Sequence, residues 1–114
     1  MGRNSDDRYN KVILHGPKGT YARFALAADM TWDEDLPTIL TIDPTADGRK
    51  LIMPAITEAN KGQWFILNNA ADAAESILVR SPADAGTIGT VAQNENAIVC
   101  NDGVSWYCGV MAQT

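Results

Sequence analysis

Four stretches decide how this chain folds: Gln63-Trp64-Phe65-Ile66-Leu67, Ser76-Ile77-Leu78-Val79-Arg80, Thr87-Ile88-Gly89-Thr90-Val91 and Ala97-Ile98-Val99-Cys100. Each is rich in β-branched or aromatic residues, and Gly, Asn, Asp or Pro fills the gaps between them. The series ends in Asn101-Asp102-Gly103, a hairpin signal, followed by Val104-Ser105-Trp106-Tyr107. Working back from there, Thr38-Ile39-Leu40-Thr41-Ile42-Asp43 reads as a strand. It is predicted to pair through an Asp47-Gly48 turn with Lys50-Leu51-Ile52-Met53, because Asp-Gly suits the positive φ angles of tight hairpins. Pro54 closes that second strand, since it cannot donate to a ladder. Strands about ten residues apart with turns between them predict an antiparallel β-sandwich or small barrel, and a jelly-roll-like sandwich is the fold expected.

Upstream the pattern is weaker. Lys11-Val12-Ile13-Leu14 is a possible strand and Gly16-Pro17-Lys18-Gly19 a turn. Thr20 to Met30 reads equally as a strand, with Thr20, Ala22, Phe24, Leu26 and Ala28 on one face, or as an alanine-rich helix. The expected organisation is therefore an extended N-terminal arm and lead-in over residues 1–35, then a sandwich over residues 36–114.

Composition bounds the function. The chain has 114 residues, 46% apolar and 20% charged, which suits one globular domain and argues against disorder over most of its length. Its longest apolar run is far short of the roughly 20 residues a membrane helix needs, so no membrane partner is expected. Met1-Gly2-Arg3-Asn4-Ser5-Asp6-Asp7 has no apolar core of a secretory signal. The net charge of −5 is unevenly spread. Residues 1–23 carry Arg3, Arg8, Lys11, Lys18 and Arg23 against two acids, a balance of +3, while the remainder balances to −8. A basic leader on an acidic body can be a nucleic-acid arm, a tether to an acidic protein surface or an ordinary solvated terminus. The acidic body would repel phosphate, so no nucleic-acid partner is expected.

No catalytic or metal constellation emerges. Asp43-Pro44-Thr45-Ala46-Asp47-Gly48 resembles the start of a calcium loop, but Pro54 stands where the bidentate Glu should be. Gly16-Pro17-Lys18-Gly19-Thr20 has the letters of a phosphate loop in the wrong order. His15 is the only histidine, a poor general base before a Gly-Pro turn. With two cysteines it cannot complete a four-ligand zinc site. Asp33, Glu34 and Asp35 are sequential and diverge, unlike a glycosidase pair. No enzyme activity, cofactor or metal is expected. A two- or three-residue turn after Cys100 would set Cys100 and Cys108 three or four residues apart along the ladder, about 10–13 Å. A disulfide needs Cα atoms within roughly 7 Å, so free thiols are predicted, as suits a reducing cytoplasm.

The order of residues from 50 to 107 resembles a β module of tailed-bacteriophage virion proteins. The shared marks are Met53-Pro54, then Lys61-Gly62-Gln63-Trp64-Phe65-Ile66-Leu67-Asn68, then Asp102-Gly103-Val104-Ser105-Trp106-Tyr107. The likeness covers residues 36–111. It implies a structural protein of tail fibres, head fibres or capsid decoration, usually a homotrimer. A short module with a leader is most similar to a capsid decoration (cement) protein. That resemblance implies the major capsid protein as partner and the exterior of the virion, after synthesis in the host cytoplasm, as location. It makes Arg3, Arg8, Lys11, Lys18 and Arg23 candidates for capsid attachment. Trp64, Ile66, Trp106 and Tyr107 become candidates for the core or the trimer interface. The alternative is a fibre or receptor-binding module in which Trp106 and Tyr107 form a platform for a glycan.

Overall fold

The structure, a computed structural model, describes residues 19–112. Nine strands follow one another: β1 (Tyr21–Ala25), β2 (Met30–Thr31), β3 (Ile39–Asp43), β4 (Arg49–Ile52), β5 (Trp64–Asn69), β6 (Ile77–Arg80), β7 (Thr87–Val91), β8 (Glu95–Asn101) and β9 (Trp106–Ala112), with a 3-10 turn at Pro82–Asp84. They form two sheets packed face to face, one ordered β1-β3-β5-β8-β9 and the other β2-β4-β6-β7. The protein is an all-β sandwich.

Its pairing departs from the antiparallel expectation. Up to β6 the chain alternates between sheets, odd strands in one and even strands in the other, so each pair of strands is one turn of a flattened coil. Successive turns stack in parallel: β1 on β3, β3 on β5, β2 on β4 and β4 on β6. Only the last three pairings, β6–β7, β5–β8 and β8–β9, are antiparallel. The coil therefore replaces the jelly-roll-like connectivity.

The predicted β3–β4 hairpin does not form, and local geometry says why. A two-residue type I′ turn needs positive φ at both central residues. Gly48 has φ 81° while Asp47 is not among the positive-φ residues, and Thr45 supplies the other unusual angle, φ 63°. Asp43 accepts the Thr45 N–H in a local turn, and the chain crosses to the opposite sheet. Acids at these corners tie one coil to the next. Asp29 accepts the Lys50 N–H and Asp47 accepts the Ser76 N–H, each at 2.8–2.9 Å.

Residues 20–35, grouped with the arm on sequence grounds, belong in part to the body. Tyr21–Ala25 is a strand, which settles the strand-or-helix ambiguity there, and Leu26 and Trp32 are buried. The Trp32 ring stacks on Phe65 at 5.0 Å and meets Trp106 edge-on at 5.5 Å. Around this trio pack Leu40, Ile42, Leu51, Met53, Leu67, Ile77, Val79, Val91 and Val99, the inward residues of period-2 strands.

Three buried asparagines close the irregular segments. Asn101 donates to the Asn60 carbonyl and accepts from the N–H groups of Gly62 and Gly103. Asn69 donates to Glu75 and Val91 carbonyls and accepts from Ala71. Asn60 receives the Thr57 N–H and donates to Ala55. Each thereby satisfies backbone groups that have no ladder partner. The 3-10 turn is pinned by Asp84, which pairs with Arg80 and Lys50. Those two cations hold its carboxyl below the usual range, Arg80 contributing most.

The last hairpin is real but its loop is longer than predicted. Asn101 lies opposite Trp106, which leaves residues 102–105 as a four-residue loop. Cys108 faces Val99 and Cys100 faces Tyr107, so the thiols are one rung apart instead of three or four. Both are free. The register puts them on opposite faces of the sheet, and that orientation, not distance along the ladder, keeps them apart. Melting curves with and without reductant should coincide; a lower melting temperature on reduction would reveal bridging between chains.

Candidate functional site

Alternation in the five-stranded sheet sends half of its side chains into the core and half outward, and no other described element covers the outward half. Registers between neighbouring strands align Tyr21 with Ile39, Ile39 with Ile66, Ile66 with Ile98 and Ile98 with Gly109. The result is one apolar row running across all five strands. A second row beside it contains Trp64, Cys100 and Tyr107. A third, on the other flank, runs Arg23, Thr41, Asn68, Asn96, Met111. Five of the seven large exposed apolar side chains among the described residues, Tyr21, Trp64, Ile98, Tyr107 and Met111, sit on this face.

This distributes the sequence-nominated residues clearly. Trp64, Ile66 and Tyr107 share the outer face, while Trp106 points the other way, is 6% exposed, and donates its indole N–H to the Pro54 carbonyl. Trp106 and Tyr107 are thus on opposite sides of β9 and cannot form one sugar platform. Arg23 is exposed on β1 at the margin of the outer face. Arg3, Arg8, Lys11 and Lys18 lie outside the described residues. Tyr21, Ile39, Ile98 and Met111 were missed from sequence, because membership of the face depends on register.

The rim of the face is electrostatically fixed at one corner. Asp102 accepts N–H groups from Ser105 and Val104, which hold its carboxyl below the usual range, and the Tyr107 hydroxyl donates to its other oxygen at 3.1 Å. The neighbouring carboxylate in turn raises the tyrosine's pKa. Tyr107 is therefore a neutral, tethered ring at physiological pH.

On the core side of the same strand, Cys108 is packed against Gly89 of β7. Burial pushes its thiol up to about 11, with Cys100 adding to the effect. The sign follows directly. Folding favours the protonated thiol, so the stability is whole below the ordinary value of 9.0 and is lost as pH rises through about 11. Cys108→Ala should flatten that alkaline limb in a stability–pH series relative to wild type. An unchanged limb would assign it to other groups.

Elsewhere Asp43, Asp72 and Glu75 bring one carboxylate oxygen each within 4.8 Å of one another. These are the residues best placed to meet a cation, but three oxygens are fewer than the roughly six to eight that calcium takes. Of the calcium-like turn only Asp43 contributes. Asp33, Glu34 and Asp35 stay in a surface turn, Asp33 accepting the Asp35 N–H. A groove of about 610 Å³ runs between the β4–β5 connection, the 3-10 turn and the last hairpin. It is lined by Ile56, Pro82, Ile88, Val104 and Trp106 among others, and holds no titratable side chain.

Comparison with protein-family models, with curated proteins and with solved structures found no match. The outer face of the five-stranded sheet is accordingly described by its own chemistry: two adjoining apolar rows, a mostly polar third row that begins with Arg23, and a buried apolar core behind them.

Proposed function

We propose that this chain is a capsid decoration protein of a tailed bacteriophage, which binds the outer surface of the assembled shell as a homotrimer and stabilises it without catalysis. One observation carries the reading: among the described residues of this acidic sandwich, no element covers the apolar face of the larger sheet. A soluble chain rarely exposes a contiguous apolar patch of this kind unless it is assembled against something. The resemblance of residues 36–111 to virion β modules names the setting.

The mechanism is linkage. A ligand that binds the expanded shell and not its dissociated subunits stabilises the shell by mass action, and no bond need be made or broken. Three copies held together present three basic arms, and weak contacts made in parallel on one shell reinforce each other through effective concentration. Arg3, Arg8, Lys11, Lys18 and Arg23 supply the attraction to an acidic capsid surface, while the −8 remainder of the chain faces solvent.

The test is a charge-reversal series on empty expanded shells. Reversing Lys11, Lys18 and Arg23 together should weaken co-sedimentation, and the gap between variant and wild type should close as salt rises above roughly 0.15 M. Deleting residues 1–10 should weaken binding while leaving the circular dichroism of the β body unchanged. Wild-type affinity in both constructions would mean that residues 1–23 are a solvated tail and not the attachment arm.

A further inference from the structure

We infer that the outer face of the five-stranded sheet is turned inward on the threefold axis of the trimer, with Tyr21 of each copy seated over Gly109 of the next. The inference rests on the trimeric reading above and adds which surface does the joining.

Three observations favour a second copy of this chain as the occupant. The first is area. The five large side chains on the face are between 44% and 78% exposed. At about 150–250 Å² per large side chain they present on the order of 500–600 Å². Partly exposed Ile39 and Ile66 add to this; a trimer divides the area between two neighbours, so the three contacts together, not each alone, reach the ~1,600 Å² total of a standard stable interface. The second is charge. A chain of net charge −5 repels its own copies unless the contact avoids its acids. In the apolar row and the Trp64 row the strand positions are uncharged; Arg23 stands at the outer margin of the third row, and the acids within the five strands are Asp43 at the end of β3 and Glu95 at the start of β8.

The third is shape. Five strands about 4.8 Å apart make a wall about 19 Å wide. Three such walls closed into a prism stand roughly 5–6 Å from the axis, about half the ~10 Å at which sheets pack face to face, so side chains from three walls fill the centre. The central strand is β5, which puts Ile66 nearest the axis. In a cyclic trimer the β1 edge of one copy meets the β9 edge of the next. The apolar row has its bulkiest side chain, 78% exposed Tyr21, at the β1 edge and Gly109 at the β9 edge. A Cβ built on Gly109 meets nothing within 4 Å among the described residues, which leaves space beside it for the neighbouring ring.

Light scattering separates the possibilities. Wild type should have the mass of three 12.3 kDa chains, about 37 kDa. Ile66→Asp, which crowds three carboxylates at the axis, and Gly109→Trp, which fills the Tyr21 seat from a position open at its Cβ, should each reduce the mass threefold. Their circular dichroism should remain that of a β protein. Val104→Asp, at an 84% exposed position in the last loop, should leave the trimer intact. If wild type is a trimer and both face variants stay trimeric, the trimer stands and this face is not its interface. A wild-type mass near 12.3 kDa defeats the trimer itself. In that case, association triggered by deleting residues 1–18 would identify that segment as the occupant instead.

Discussion

Trp32→Ala is expected to be the most damaging single substitution in the body, lowering stability by about 3–5 kcal/mol, as large-to-small changes of buried aromatics do. Trp32 is 2% exposed, stacks on Phe65 and abuts Trp106, so its loss opens a cavity where both sheets and the last hairpin meet. A domain of this size holds roughly 5–15 kcal/mol in total, so the variant should melt on the order of 15 °C lower or fail to fold. Trp32→Phe should be far milder. The Trp32 indole N–H is buried without a hydrogen-bond partner, so phenylalanine keeps the stacking and removes an unsatisfied donor. Denaturant unfolding of the pair measures both effects. Equal losses in the two variants would show that the indole makes a polar contact essential to the core.

Gly89→Ala should come next, at about 1–3 kcal/mol, for the opposite reason. A Cβ at position 89 would overlap Cys108 Sγ and stand 2.9 Å from Cys108 Cβ, so β7 and β9 must separate to admit one methyl group. These are the edge strands at which the two sheets close on each other. Overpacking there is relieved by trimming the partner: Cys108→Gly should restore much of what Gly89→Ala removes, and a double-mutant cycle should give a favourable coupling. Additive losses would mean that the glycine is needed for its backbone and not for the space beside it.

What the sequence revealed and concealed follows from what period-2 alternation encodes. Ile77, Val79, Leu67 and Val99 were legible as strand residues because β-branched and large apolar side chains alternate there and turn formers flank them. Alternation says nothing about strand direction, so the coil of parallel pairs was hidden. Asp47-Gly48 has the letters of a hairpin turn, and only its φ angles show that it is a crossing between sheets. Trp32 was masked by neighbours that read as a surface acidic cluster. Tyr21–Ala25 was masked by alanines that suit helix and strand alike. Trp64, Ile66 and Tyr107 stood out as large apolar residues in strands. The row that joins Tyr21 to Gly109 exists only once four registers are known, since a slip of one residue would send it into the core.

The core is complete without the outer rows, so the sandwich can fold first and associate afterwards. Tethering of Tyr107 by Asp102 keeps part of the face ordered in the single chain. A surface already fixed before contact loses less conformational freedom on binding.

The most direct test of the proposed shell-binding role is to mix the purified protein with mature heads and, separately, with tails of a tailed phage whose genome carries this sequence, and to sediment each mixture. A decoration protein should pellet with expanded heads to a saturable level that is a multiple of three copies per binding position, and should remain in the supernatant with tails. Pelleting with tails, or with neither particle, would contradict the assignment.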